Sequence, residues 1–271
     1  MIIDNTPSMP IDLKQSLQEQ AKTADKIQVV IGSGVKAIIV DSIGPSFCAK
    51  RAIEYCCQEG ASLMLFSERT GCLNELSYET ITFYLAQNST VQSVHLLAGV
   101  NLQQTVISSA EGVGAAASIS VVPILWDEQK LSLLLTQNHS ASQTSSIVNL
   151  YGAISGKAQL HENAKTDIGA QLKEICAKQK SSIMMLSPQA RVLTSPQLAV
   201  QSRQISATHG AAVGSFDSSI LYYAQLRGIP LQVAKSIYLQ GFLLQWADDA
   251  YRNEIYALAK RSISQALNQI S

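Results

Sequence analysis

Four histidines and five cysteines are the side chains of this chain best suited to ligate a metal or act as a nucleophile. His209 has the most distinctive setting. It sits in Thr208-His209-Gly210-Ala211-Ala212-Val213-Gly214, where a strand-like upstream period gives way to a helical one. A histidine at such a corner is either a functional imidazole or a structural one. His95, His139 and His161 fall in different strands or turns, and solvated or core histidines are the default reading for them. Cys48, Cys56, Cys57, Cys72 and Cys176 show no C-x-x-C spacing, and their odd number argues for free thiols. Cys56 and Cys57 are neighbours on a strand, so one faces inward and one outward, and the two cannot share a metal ion without distortion. No carboxylate pair and no Ser, His and Asp set has a motif context for hydrolysis. Gly112-Val113-Gly114-Ala115-Ala116-Ala117 resembles a dinucleotide fingerprint, but the following ISVVPILW is a strand where that fingerprint needs a helix N-terminus. A tight turn explains it better, and Gly32–Lys36 likewise reads as a turn.

The elements that must carry these residues follow a repeat. KIQVVIGSGVKAIIVDS, RAIEYCCQEGASLMLFS and ETITFYLAQNSTVQSVHLL each contain strand, small-residue turn and strand, with turns at Gly34-Val35, Gly60-Ala61 and Ser89-Thr90. GAAASISVVPI with KLSLLLTQ, SIVNLYGAIS with KAQLHE, and SSIMMLSPQA with RVLTSPQLAV continue the pattern. One such pair cannot bury its apolar face, whereas stacked coils cover one another. The expected fold is therefore mainly β, a parallel β-helix over 26–213. Residues 10–24, with Leu13, Leu17 and Ala21 spaced by four, predict a short amphipathic helix, making 1–25 an N-terminal helical cap. From 214 to 271 the period is helical. Asp217 is suited to cap a first helix, Gly228 to end it, and Pro230 to open a second. A third, at about 250–269, carries one apolar stripe through Tyr251, Ile255, Leu258, Ala259, Ile263, Ala266, Leu267 and Ile270. No clear linker intervenes, so these helices are expected to pack on the solenoid. The aromatic residues Tyr222, Tyr223 and Trp246 read first as packing and second as partner anchors.

The chain of 271 residues is 46% hydrophobic and 15% charged, which suits an extensive interior. Twenty basic residues balance twenty acidic ones, so no field steers it to nucleic acid or anionic membrane. The start MIIDNTPSMP lacks a signal peptide's basic and apolar regions, and no apolar run reaches the ~20 residues of a membrane span. A cytoplasmic location is expected.

The stretch 205–242 resembles the SufB/SufD family, the scaffold proteins of SUF iron–sulfur cluster assembly. The resemblance rests on T-H-G-A-x-V-G at 208–214, then Asp217, Tyr222-Tyr223, Leu226-Arg227-Gly228-Ile229, Ala234 and Gly241-Phe242. MMLSPQARVLTSPQLAV at 184–200, with Pro196 and Leu198, and GAISGKAQ at 152–159 extend it. The H-G-A-x-V-G form is the SufD one. The resemblance implies a right-handed parallel β-helix followed by a C-terminal helical domain. It implies a SufB-type scaffold as partner through the β-helix, and a SufC-type ABC ATPase docked by the C-terminal helices. Tyr222, Tyr223, Arg227, Ile229 and Phe242 are the expected docking residues. His209 matches the histidine implied to help assemble or hold the nascent cluster at the SufB interface, and as a tentative metal ligand. A neutral imidazole can ligate iron, more weakly than a thiolate, which suits transient holding. No stably bound cofactor and no independent catalysis are implied; a cluster is expected only transiently, in complex with SufB. The family usually carries Cys two positions before the histidine; Ala207 stands there instead. The N-terminal region and the whole chain are short for the family.

Two other readings stay open. A carbohydrate-active β-helix enzyme would need a row of carboxylates or basic residues on one sheet, and the strands carry few carboxylates. A degenerate family member would serve as a structural protein without cluster chemistry, as a homodimer when alone.

Overall fold

The computed structural model describes residues 1–7, 9–13, 26–44, 50–71, 76–247 and 254–270. Its strands alternate between two eight-stranded sheets in which every pairing is parallel. Sheet A holds β1 (Ile2–Ile3), β3 (Lys26–Ile31), β5 (Lys50–Cys57), β7 (Ser77–Leu85), β9 (Leu102–Ala110), β11 (Lys130–His139), β13 (Gln159–Ile168) and β15 (Arg191–Val200). Sheet B holds β2 (Ile11–Asp12), β4 (Lys36–Ile43), β6 (Ser62–Thr70), β8 (Thr90–Ala98), β10 (Ala116–Leu125), β12 (Ser145–Ile154), β14 (Lys173–Met185) and β16 (Gln204–Gly214). Each coil gives one strand to each sheet, so the expected parallel β-helix is what the chain forms. Register pairs such as Ser77 with Leu102 and Gln159 with Arg191 bracket the coil length at 25 to 32 residues.

The alternation of side chains along each strand builds the interior. In β4, Ala37, Ile39 and Asp41 are buried; in β7, Ser77, Glu79, Ile81, Phe83 and Leu85 are. The apolar members form one continuous core between the sheets, in which the Tyr55 and Phe83 rings stack at 5.3 Å. Corners recur at one register position. Gly34, Gly60, Asn88 and Gly114 each precede a sheet B strand with φ between +54° and +76°, a conformation glycine and asparagine adopt most readily. The Gly112–Gly114 segment is thus the coil corner expected of it, not a nucleotide loop.

Three expectations are corrected or sharpened by the strands. Sequence reading passed over residues 102–110 as a strand, which shifted its later strand pairs out of phase. β9 joins sheet A, but Gln104 and Ser108 face inward where apolar residues were sought, so its pattern is weak. The change of period, expected within Gly210–Gly214 after His209, falls at the end of that stretch. The strand continues through Gly214, because parallel pairing with β14 runs as far as Met184 with Gly214. At the other end, Ile2–Ile3 and Ile11–Asp12 each extend a sheet by one short strand, so solenoid pairing starts before residue 26. The cap helix expected over 10–24 otherwise lies mostly outside the described residues.

After β16 come α1 (Ser218–Leu226), α2 (Leu231–Leu243) and α3 (Glu254–Leu267). Asp217 caps α1, accepting a 2.9 Å hydrogen bond from Ser219 N, and Gly228 follows its end with φ +80°. Ile255, Ala259, Ile263, Ala266 and Leu267 are the buried stripe of α3; Leu258 lies off it, and Tyr251 is outside the described residues. With Leu239, Leu243 and Trp246 they cover the outer face of sheet B at Val94, Leu96, Val122, Ile124 and Ala153. That coverage buries both faces of β8 and β10 over their later residues, Ser93–Ala98 and Ile119–Leu125.

Candidate functional site

The solenoid ends on two strands that are each paired on one side only, β15 in sheet A and β16 in sheet B. Neither holds a fully buried residue; β16 is mostly exposed, β15 mostly half-buried, and Pro196 lies within β15. His209 stands mid-strand in β16, in register with Gln179 of β14. That register places it on the lumen-facing side with Ala207 and Ala211, one coil beyond buried Gln179, and it is exposed because no further coil covers it.

Directly beneath this mouth the lumen is polar. Gln179 Nε2 donates to Thr166 Oγ1 at 2.7 Å, and Ser181 Oγ donates to Glu162 Oε1 at 2.6 Å. Burial raises the pKa of Glu162, opposed by the Ser181 hydrogen bond. Among the described residues no group of three His, Cys, Asp or Glu side chains converges as a metal site. His209 faces out of the open end and belongs to no such group among the described residues. The position that would bring a thiol beside it on the same strand face is Ala207.

The other histidines separate clearly from it. His95 is buried with Nε2 3.1 Å from Ser93 Oγ. His139 is buried between Thr144 and Ser146, 2.7 and 2.8 Å away. Burial pushes the pKa of each down to about 4, so both are neutral structural imidazoles at pH 7. His161 is exposed on the outer face of sheet A. Cys57 is buried and Cys56 only partly so, as their adjacency on β5 requires.

A second surface lies on α1 and α2. Tyr222, Tyr223, Leu226 and Ile237 each leave 57–66% of their surface to water. Ile220 and Val233 add to this apolar face. Tyr222 with Leu226, and Val233 with Ile237, are spaced by four and so adjoin on their helices. Arg227 lies over the Tyr223 ring at 5.2 Å, and Ile229 is half-buried in the turn. Phe242, the fifth expected docking residue, is half-buried. It packs in one cluster with Leu239 of α2 and with Trp246 in the turn beyond, and meets the Tyr151 ring edge-on at 5.8 Å, so it helps hold the helices to sheet B. Beside the expected Tyr222 and Tyr223, and Leu226 of the matching motif, Ile220, Val233 and Ile237 are apolar positions away from the buried Leu221, Ala234, Leu239 and Leu243. The polar mouth is also readable from strand parity, since Gln179 and Ser181 share the inward-facing parity of Ile175, Ala177 and Ile183.

A parallel β-solenoid with an open polar end and an appended helical domain is thus the class of protein. The chain belongs to the SufBD core-domain family of the SUF system of FeS cluster assembly, whose model matches residues 15–242. It is 28% identical to the iron-sulfur cluster assembly protein SufD of Bacillus subtilis over 132 residues, 49% of this chain and 30% of that protein. It is 31% identical to protein ABCI7, chloroplastic, of Arabidopsis thaliana over 88 residues, 32% of this chain and 18% of that one. The aligned stretches thus cover less than a third of either relative. Among the described residues no helix is long and apolar enough to cross a membrane.

Proposed function

We propose that this chain is a non-catalytic, SufD-like scaffold subunit for iron–sulfur cluster assembly. Its open solenoid end pairs with a SufB-type scaffold, and α1 and α2 dock a SufC-type ABC ATPase. The observation that carries the reading is the bare edge of β16 with His209 on its lumen side, above buried Gln179. An unpaired parallel strand offers backbone donors and acceptors to a partner strand, and a scaffold that shares its cluster across an interface needs a ligand facing outward. The cluster is cargo: His209 supplies one weak, exchangeable nitrogen and the partner supplies the thiolates, since Ala207 supplies none. The exposed face of Tyr222, Tyr223, Leu226 and Ile237 supports the ATPase-docking half, being an apolar patch that a partner would cover. A cytoplasmic location goes with this reading, as does pairing with a second copy when the SufB-type partner is absent.

Co-expression with SufB-type and SufC-type proteins from the same organism tests it. The ATPase co-purifies with the full chain and not with one lacking residues 215–271. His209→Ala lowers cluster yield on anaerobic reconstitution of the complex while leaving the circular dichroism melt unchanged. Failure to capture either partner overturns the assignment, and an unchanged cluster yield makes His209 structural.

A further inference from the structure

We propose that the outer face of sheet A is a docking groove for an extended acidic peptide segment that also carries apolar residues. The helices cover sheet B, whereas sheet A presents its outer face to solvent along one register column: Lys50, Tyr78, Gln103, Ser132, His161 and Leu193. A second column runs beside it through Lys130, Gln159 and Arg191, all exposed. Two depressions of about 420 and 260 Å³ meet at Gln103 and make these columns one groove.

Charge selects the occupant. The chain as a whole is neutral, yet Lys50, Lys130 and Arg191 line this groove, and among the described residues no carboxylate pairs with any of them. Glu79 is the acid that borders the groove; it is buried and committed to Arg69 and Gln104. Partner carboxylates would therefore meet cations that no described ion pair holds; Glu128, paired with Lys157, acts on Lys130 only from a distance. The cations are spaced, not continuous. They fall on the first, fourth and sixth strands of the column, with neutral Tyr78, Gln103, Ser132 and Gln159 between them. Leu76 and Leu193 add exposed apolar surface towards opposite ends, 50% and 58% accessible. A uniform polyanion would press charge against those leucines; a peptide can set carboxylates on the cations and apolar side chains on the leucines. Five strand spacings of ~4.8 Å make ~24 Å, the length of about seven or eight extended residues.

The test uses the intact chain and neither assembly partner, so it stands or falls apart from the scaffold assignment. A fluorescent peptide of about eight residues alternating Glu and Leu is titrated by anisotropy, beside its Gln-for-Glu counterpart and a thymidine oligonucleotide of equal charge. The acidic peptide binds, and its affinity drops at least about tenfold as salt rises from ~50 to ~300 mM, because exposed charge pairs are screened. Lys130→Glu with Arg191→Glu lowers affinity by at least about tenfold, and Leu193→Asp also weakens it, with melts like the parent's. Should the double reversal fail to fold, Lys130→Gln with Arg191→Gln replaces it, with the same expected direction. The proposal is overturned if the acidic peptide does not bind, if the Gln peptide binds as well, if the variants bind normally, or if the oligonucleotide binds as tightly as the acidic peptide.

Discussion

Arg69 Nη2 lies 2.6 Å from Asp41 Oδ2 inside the solenoid, and neither side chain reaches solvent. The pair ties two successive coils of sheet B together. Arg51 adds a two-pronged bond to the same carboxylate at 2.8 and 3.1 Å, and Arg69 also meets Glu79 through Nε at 3.1 Å. Burial alone would raise the pKa of Asp41, but the Arg69 and Arg51 charges outweigh it and hold it below the usual range. Asp41→Ala leaves the buried Arg69 guanidinium with Glu79 as its remaining described anionic partner, so the loss is expected to stay below the about 3–5 kcal/mol typical of an uncompensated buried charge. Urea unfolding is expected to show it as a lower midpoint with unchanged slope, and Asp41→Asn, which keeps an acceptor, to lose less.

Acid should weaken the fold through His95. Its pKa in the folded chain is about 4 against an ordinary 6.5, with burial the main cause. The fold thus prefers the neutral ring. That preference contributes fully above pH 6.5 and fades as pH falls from there through 4. The gap corresponds to about 3 kcal/mol. His139, also at about 4, adds in the same direction. Urea midpoints measured between pH 7 and pH 4.5 should fall, and His95→Gln should flatten that fall.

At Gly112 one coil sits closely on the next. A Cβ built there would collide with the backbone of Ala86 and Gln87 in the coil beneath. Gly112→Ala must therefore push two coils apart, at a cost of about 1–3 kcal/mol, as other forced overpacking does. A thermal melt reads this directly. Gly210→Ala, in the uncovered last strand with nothing near its Cβ position, is the matched control and should lose far less.

Phe242 and Tyr222 separate docking of the helices from docking of a partner. Phe242→Ala removes the edge contact with Tyr151 and is expected to cost about 2 kcal/mol, below the range for fully buried rings because Phe242 is half-exposed. Hydrogen exchange should speed up in α2 and α3 and not in the solenoid. Tyr222→Ala changes stability by no more than about 0.5 kcal/mol, as surface changes do, yet should reduce capture of the SufC-type ATPase.

Much of this architecture is legible in the chain because each strand pair repeats one pattern at nearly constant spacing. Where the inward residues are aliphatic, as in Ile27, Val29 and Ile31, alternation alone identifies the strand. Where they are polar, as with Gln104 and Ser108, the same alternation looks like a loop, and β9 was lost for that reason. The helical tail was readable from Asp217, Gly228 and the stripe of α3. Which apolar helix residues face sheet B and which face water was not, because Phe242 and Tyr222 are the same kind of residue until the solenoid beside them is known. His209 stood out by its motif, but its place on the lumen side followed only from the register with Gln179.

Pro196 gives the open end a polarity. It lies within β15, the outermost strand of sheet A, and lacks the N–H that an added strand would draw on. β16 carries no proline, so sheet B keeps an unbroken run of donors. The two half-edges are therefore unequal: one is a template, the other a stop. A newcomer that zips along β16 is oriented before it touches β15, and stacking of copies into fibres through both sheets at once is discouraged by a single ring.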